Sequence, residues 1–78
     1  MNAFDTVRQC ASNVGVPIYK IGLSMGKTRQ YMSAMFSRGS TPKADTLARM
    51  LNVCGYGLYA CPLDKPPKNG IEITANDD

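Results

Sequence analysis

Two short apolar-periodic segments meet at Met25-Gly26-Lys27-Thr28, and this junction constrains the chain more than any other stretch. Gly26 sits where the first segment ends. Thr28, two residues later, carries a hydroxyl able to cap the next helix. The spacing therefore predicts two helices joined by a sharp turn rather than a loop, with the second helix pushed outward.

The chain has 78 residues. A domain of this size buries only about 60% of its unfolded surface, which leaves little room for a deep catalytic cavity. There is no histidine. The acids Asp5, Asp45, Asp64 and Glu72 are scattered through different elements, and neither a Gly-rich phosphate loop nor a paired carboxylate is present. An enzyme is not expected. Cys10, Cys54 and Cys61 are odd in number and form no Cys-x-x-Cys pair, so they read as reduced small hydrophobes rather than metal ligands. No metal and no cofactor are expected. No segment approaches the roughly 20 apolar residues needed to cross a bilayer, and Met1-Asn2-Ala3-Phe4-Asp5 does not open a signal peptide. The expectation is a cytoplasmic protein with no membrane contact.

Along the chain, Phe4, Val7, Cys10, Ala11 and Val14 recur at helical intervals, and Gly15 supplies a stop. Pro17 suits the first turn of a second helix running to about Met25, with Ile18, Ile21, Gly22 and Met25 on one side. Gly22 has no Cβ and lets a partner helix come close. A third helix is expected from Thr28 to about Ser37, burying Met32, Met35 and Phe36. Arg38-Gly39-Ser40-Thr41-Pro42 then breaks the pattern. A fourth helix follows from Pro42 or Lys43 to about Val53, with Ala44, Leu47, Ala48, Met50 and Leu51 as its stripe, and ends near Gly55-Tyr56-Gly57. Residues 58–63 and 71–74 read as strands, joined through 64–70 with its Asn69-Gly70 turn signal. A lone hairpin is marginal in water, so it must lie on the helices, extend a partner's sheet or stay partly mobile. The closing four residues are expected to fray. No repeat, low-complexity tract or linker is evident.

Charge is unevenly placed. The net charge is +3. From Lys20 to Arg49, six basic residues face Asp45 alone, a net +5, whereas from Asp64 onward two lysines face four acids, a net −2. The positive charge is concentrated on the turn region, and the acidic tail should be held away from phosphate. Lys27, Thr28, Arg29 and Gln30 mark the outward start of the third helix and are donors suited to phosphates and base edges. Arg29, Gln30, Ser33 and Ala34 form the outward face.

Gly26-x-Thr28, Met32-Ser33, Met35 and Arg38-Gly39-Ser40-Thr41-Pro42 ahead of Thr46-Leu47 resemble the Cro-type (XRE, lambda-repressor-like) helix-turn-helix family over about residues 18–56. The resemblance implies a mainly α fold, a lambda-repressor-like bundle of four to five short helices, here with a C-terminal strand or hairpin. It also implies a homodimer on double-stranded DNA, bound at a pseudo-palindromic operator, acting as repressor, antitoxin-type autorepressor or accessory regulator; the strand after Gly55-Tyr56-Gly57 is similar to small phage and mobile-element members. Residues 1–57 would be the DNA-binding domain and 58–78 an extension able to dimerise. In two places the chain departs from the family. Ile18 stands where Gln commonly contacts phosphate, with Tyr19 and Lys20 as substitutes, and Phe36 stands where Glu is common.

Carried over position by position, Arg29 can bridge O6 and N7 of guanine, and Gln30 can bridge N6 and N7 of adenine. Ala34 can meet a thymine methyl, and Ser33 a base or a phosphate. Tyr19, Lys20, Lys27, Thr28, Tyr31, Arg38, Ser40, Thr41 and Lys43 are the expected phosphate contacts, with Tyr31 open between backbone contact and packing. Met25, Met32, Met35 and Met50 read as adaptable core filling. Tyr56, Leu58, Tyr59, Leu63, Ile71 and Ile73 are the candidate dimer surface. The competing class is a protein-binding module that keeps this scaffold but turns it against a protein partner.

Overall fold

A computed structural model describes residues 2–39, 41–64 and 70–74. Four helices, α1 (Ala3–Val14), α2 (Ile18–Ser24), α3 (Tyr31–Arg38) and α4 (Ala44–Val53), precede a two-stranded antiparallel hairpin of β1 (Leu58–Ala60) and β2 (Ile71–Ile73). The architecture is a mainly α bundle with a C-terminal hairpin. No helix among the described residues is long and apolar enough to cross a membrane.

The start of α1 is fixed by Asn2, whose side-chain oxygen accepts the Asp5 backbone N–H at 2.8 Å. Asp5 itself places a carboxylate in the first turn, where the helix dipole favours negative charge. Phe4, Val7, Cys10 and Ala11 are buried as their spacing predicts, but Val14 is 47% exposed, and Val16, just past the Gly15 stop, packs on the core instead. Fully buried Ile21, Met32 and Met50 bring α2, α3 and α4 onto α1 around Val7. Met25 and Met35 pack partly buried against this cluster. Among the described residues no polar or charged side chain is buried, so the core is closed by apolar contact alone. Cys10 and Cys54 are part of it, while Cys61 is exposed. Burial pushes the Cys54 thiol above its ordinary pKa, and Cys10 beside it acts in the same direction. Both effects keep the thiol protonated and unreactive.

Several boundaries differ from the sequence expectation. Pro17 is the residue before α2, not part of its first turn. The third helix begins at Tyr31, not Thr28, and its N-cap Gln30 makes no side-chain bond. A single tight turn, closed by the Tyr31 N–H on the Thr28 carbonyl at 3.2 Å, leads into it instead. Nor does α4 start at Pro42 or Lys43: Lys43 precedes it, Pro42 is buried, and Ala44 is exposed rather than on the stripe. The strands are shorter than 58–63 and 71–74. Pro62 has no N–H to give a ladder, and pairing stops at Ala60↔Ile71. The Asn69-Gly70 turn signal and the closing four residues involve positions outside the described ones.

The hairpin lies on α4. Leu58 packs on the core, and its register partner Ile73 is half-buried. A pair of three-residue strands would be marginal alone; a helix beneath it supplies the missing apolar contact.

The close approach of α2 and α3 depends on Gly22. A Cβ built there would lie 3.3 Å from Met32 Cγ, 3.4 Å from the Thr28 carbonyl oxygen and 3.5 Å from Tyr31 Cβ. Alanine fits with small shifts, and its better helix propensity offsets them, so Gly22→Ala should change stability little. The branched side chain in Gly22→Val has no such space and should cost about 1–3 kcal/mol through overpacking. Urea melts of the two variants check this; equal midpoints would mean that the helices do not meet at Gly22.

Candidate nucleic-acid interface

The end of α2 and the start of α3 set the site. Gly26 adopts φ +77°, a left-handed conformation that side chains with a Cβ rarely take. With the chain turned there, Lys27 N–H reaches the Gly22 carbonyl at 2.9 Å and Gly26 N–H the Leu23 carbonyl at 3.0 Å. These two bonds close the end of α2 and throw residues 27–30 outward.

Arg29 and Gln30 therefore project from the turn ahead of α3 rather than from its first helical turn, and both are exposed. Gln30, Ser33, Ala34 and Ser37 lie at i, i+3, i+4 and i+7, and all four are exposed. Met32 on the opposite side is fully buried. One side of α3 is thus committed to the core and the other is free along its length. Ser37 was not among the sequence candidates, although its four-residue spacing from Ser33 was a usable signal. The Ser33 hydroxyl donates to the Gln30 carbonyl at 3.1 Å, which leaves its oxygen as an acceptor.

Two basic side chains beside this face rest on aromatic rings. The Arg29 guanidinium carbon is 4.0 Å from the Tyr19 ring centroid, and Lys27 Nζ is 5.7 Å from that of Tyr31. Tyr31 is half-buried against the core, so packing accounts for its ring. Lys20 is exposed on α2. Thr28 is exposed but makes no capping bond to α3. Arg38 is exposed in the last turn of α3 and Lys43 ahead of α4, while Ser40 lies outside the described residues.

Thr41 is exposed. With Asn2, Ala3, Phe4, Phe36, Gly39 and Pro42 it lines a shallow cleft at the start of α1. Phe36 meets Phe4 edge-on with ring centroids 4.8 Å apart. Arg8 lies over the Phe36 ring at 4.3 Å and pairs with Asp5 at 3.4 Å. The Phe36 ring thus joins α3 to α1. Sequence spacing within α3 alone gave no sign of that partner.

The hairpin candidates divide. Leu58 and Ile73 are half-buried, with Leu58 packed on the core, so the fold itself uses much of their surface. Tyr56 accepts a hydrogen bond from the Asn13 amide at 3.0 Å, which ties it to α1. Tyr59, Ile71 and Leu63 remain open at 52%, 76% and 108% relative exposure.

No protein-family model, curated protein or solved structure matches this chain.

Proposed function

We propose that this chain is a sequence-specific DNA-binding regulator of the Cro-type helix-turn-helix kind, a cytoplasmic repressor that sets α3 into the major groove. The observation that carries the reading is the division of α3: Gln30, Ser33 and Ala34 are exposed, with Arg29 just ahead of them, while Met32 anchors the opposite side. A helix held this way presents polar edges without disturbing the core. Arg29 and Gln30 supply the bidentate donors and acceptors that distinguish guanine and adenine, and the Ala34 methyl suits thymine. Exposed Lys20, Lys27, Arg38 and Lys43 supply charge that answers phosphate without reading sequence.

This division of labour has a measurable consequence. Lys27→Ala combined with Lys43→Ala should weaken binding to every sequence alike and flatten the dependence of log K on log salt by nearly two, since each phosphate contact contributes a slope of about 0.9. Titrations over a salt series, on a preferred and a random duplex, read both quantities. An unchanged slope would place the phosphate contacts elsewhere.

The working unit in this reading is a homodimer, with α3 of each copy in half-sites about 34–36 Å apart or a multiple of that. Exposed Tyr59, Leu63 and Ile71 on the hairpin support a second copy at that face. Sedimentation at micromolar concentration should give a dimer mass, and Ile71→Lys with Leu63→Lys should return the monomer. A native chain that sediments as a monomer both free and on DNA contradicts the dimer.

A further inference from the structure

Tyr19 and Gly22 are three residues apart in α2 and so lie on the same side of it. That is the side α3 approaches, because the space beside Gly22 is filled by Thr28, Tyr31 and Met32. One turn before this contact, the half-buried Tyr19 ring carries the Arg29 guanidinium at 4.0 Å. Among the described residues Arg29 has no hydrogen bond and no ion pair, so the ring is what holds it.

With its carbon over the ring at 4.0 Å and, among the described residues, none of its N–H groups in a hydrogen bond, the guanidinium keeps its donors available. Those donors are what bridge O6 and N7 of guanine. Stacking therefore orders the side chain without consuming its donors, and an ordered side chain loses less freedom on binding. The Lys27–Tyr31 contact cannot do the same, because an ammonium has no plane to orient and the separation is 5.7 Å.

We propose that Tyr19 is a positioning residue for Arg29, whose ring sets the plane of the guanidinium before DNA arrives and so sharpens the preference for guanine at the base Arg29 reads. The proposal rests on the DNA-reading function above and adds a determinant that touches no base.

The test compares native chain, Tyr19→Phe, Tyr19→Leu and Arg29→Ala on a preferred duplex and on the same duplex with one guanine replaced. Tyr19→Phe keeps the ring and should keep the preference. Tyr19→Leu should lose about two- to fivefold of it, in line with an exposed cation–π contact, and should add nothing to the larger loss in Arg29→Ala. Tyr19→Met serves as a second ring-free variant should Tyr19→Leu not fold, and the amide NMR spectrum establishes folding for each. Ring-current shifts on the Arg29 side chain, measured without DNA, should be present in native chain and Tyr19→Phe and absent in the ring-free variants. Equal or sharper guanine preference without the ring overturns the positioning role and leaves the DNA reading intact. Absence of any sequence preference in the native chain overturns the DNA reading itself, and the positioning role with it.

Discussion

Replacing Arg29 and Gln30 together by alanine should abolish sequence preference while leaving salt-sensitive binding to DNA in place. Each bidentate contact to a base is worth about 1–3 kcal/mol of discrimination, which corresponds to roughly 5- to 150-fold for each residue. The two are neighbours in one turn, so their effects need not add, and the single substitutions belong in the same experiment. Both side chains are exposed and neither is part of the core, so the double variant should keep its melting behaviour. Surface changes of this kind usually stay within about 0.5 kcal/mol. Competition between a preferred and a scrambled duplex gives the discrimination directly. Unchanged discrimination in a folded double variant would remove Arg29 and Gln30 as readers.

The second large effect is on stability. Met32→Ala should cost about 2–5 kcal/mol, the range for truncating a fully buried aliphatic side chain. Met32 is 0% exposed and fills the space beside Gly22, so its removal leaves a void between α2 and α3. Against a total stability of about 5–15 kcal/mol, a loss of this size leaves a small domain close to unfolding. Urea melts should show a much lower midpoint with a similar slope, and DNA binding should weaken because α3 loses its anchor. Met35→Ala, at a half-buried position of the same helix, should cost less. If the two variants melted alike, the docking of α3 would not depend on Met32.

Much of this fold is legible in the sequence, because apolar spacing marks the core sides of α1, α3 and α4 and glycine marks the ends. Gly26 and Gly22 show the strength of that signal: one permits a left-handed turn and the other a close helix contact, and each has a local signature. The start of α3 was harder to read. Thr28 has the chemistry of a cap, yet the chain enters α3 through a tight turn with Gln30 at φ −86° and ψ −5°, so no capping hydroxyl is used. Cap chemistry signals a helix start, but it does not reveal when a turn of similar curvature comes first. The apolar run past Pro62 predicts a longer β1 than Leu58–Ala60, because pairing requires N–H groups that apolar spacing does not report.

The outward stripe of the candidate site followed from helical spacing, and Arg29, Gln30, Ser33 and Ala34 are all exposed as expected. The contacts that organise it did not. Tyr19 on α2 meets Arg29 in the turn ahead of α3, and Phe36 on α3 meets Phe4 and Arg8 on α1, only because separate elements come together. Periodicity within one helix says which side is buried, but not which residue of another helix will lie against it. Hence sequence alone places Tyr19 against phosphate, whereas the fold also sets its ring against Arg29.

Selection from a random DNA pool at near-physiological salt tests the central claim most directly. The account predicts a recovered motif with two-fold symmetry, its half-sites one helical turn or a multiple apart, in keeping with two copies of α3 in successive major grooves. Recovery of DNA without a motif, falling steeply as salt is raised, would contradict it and point to a scaffold that uses this face on a protein partner.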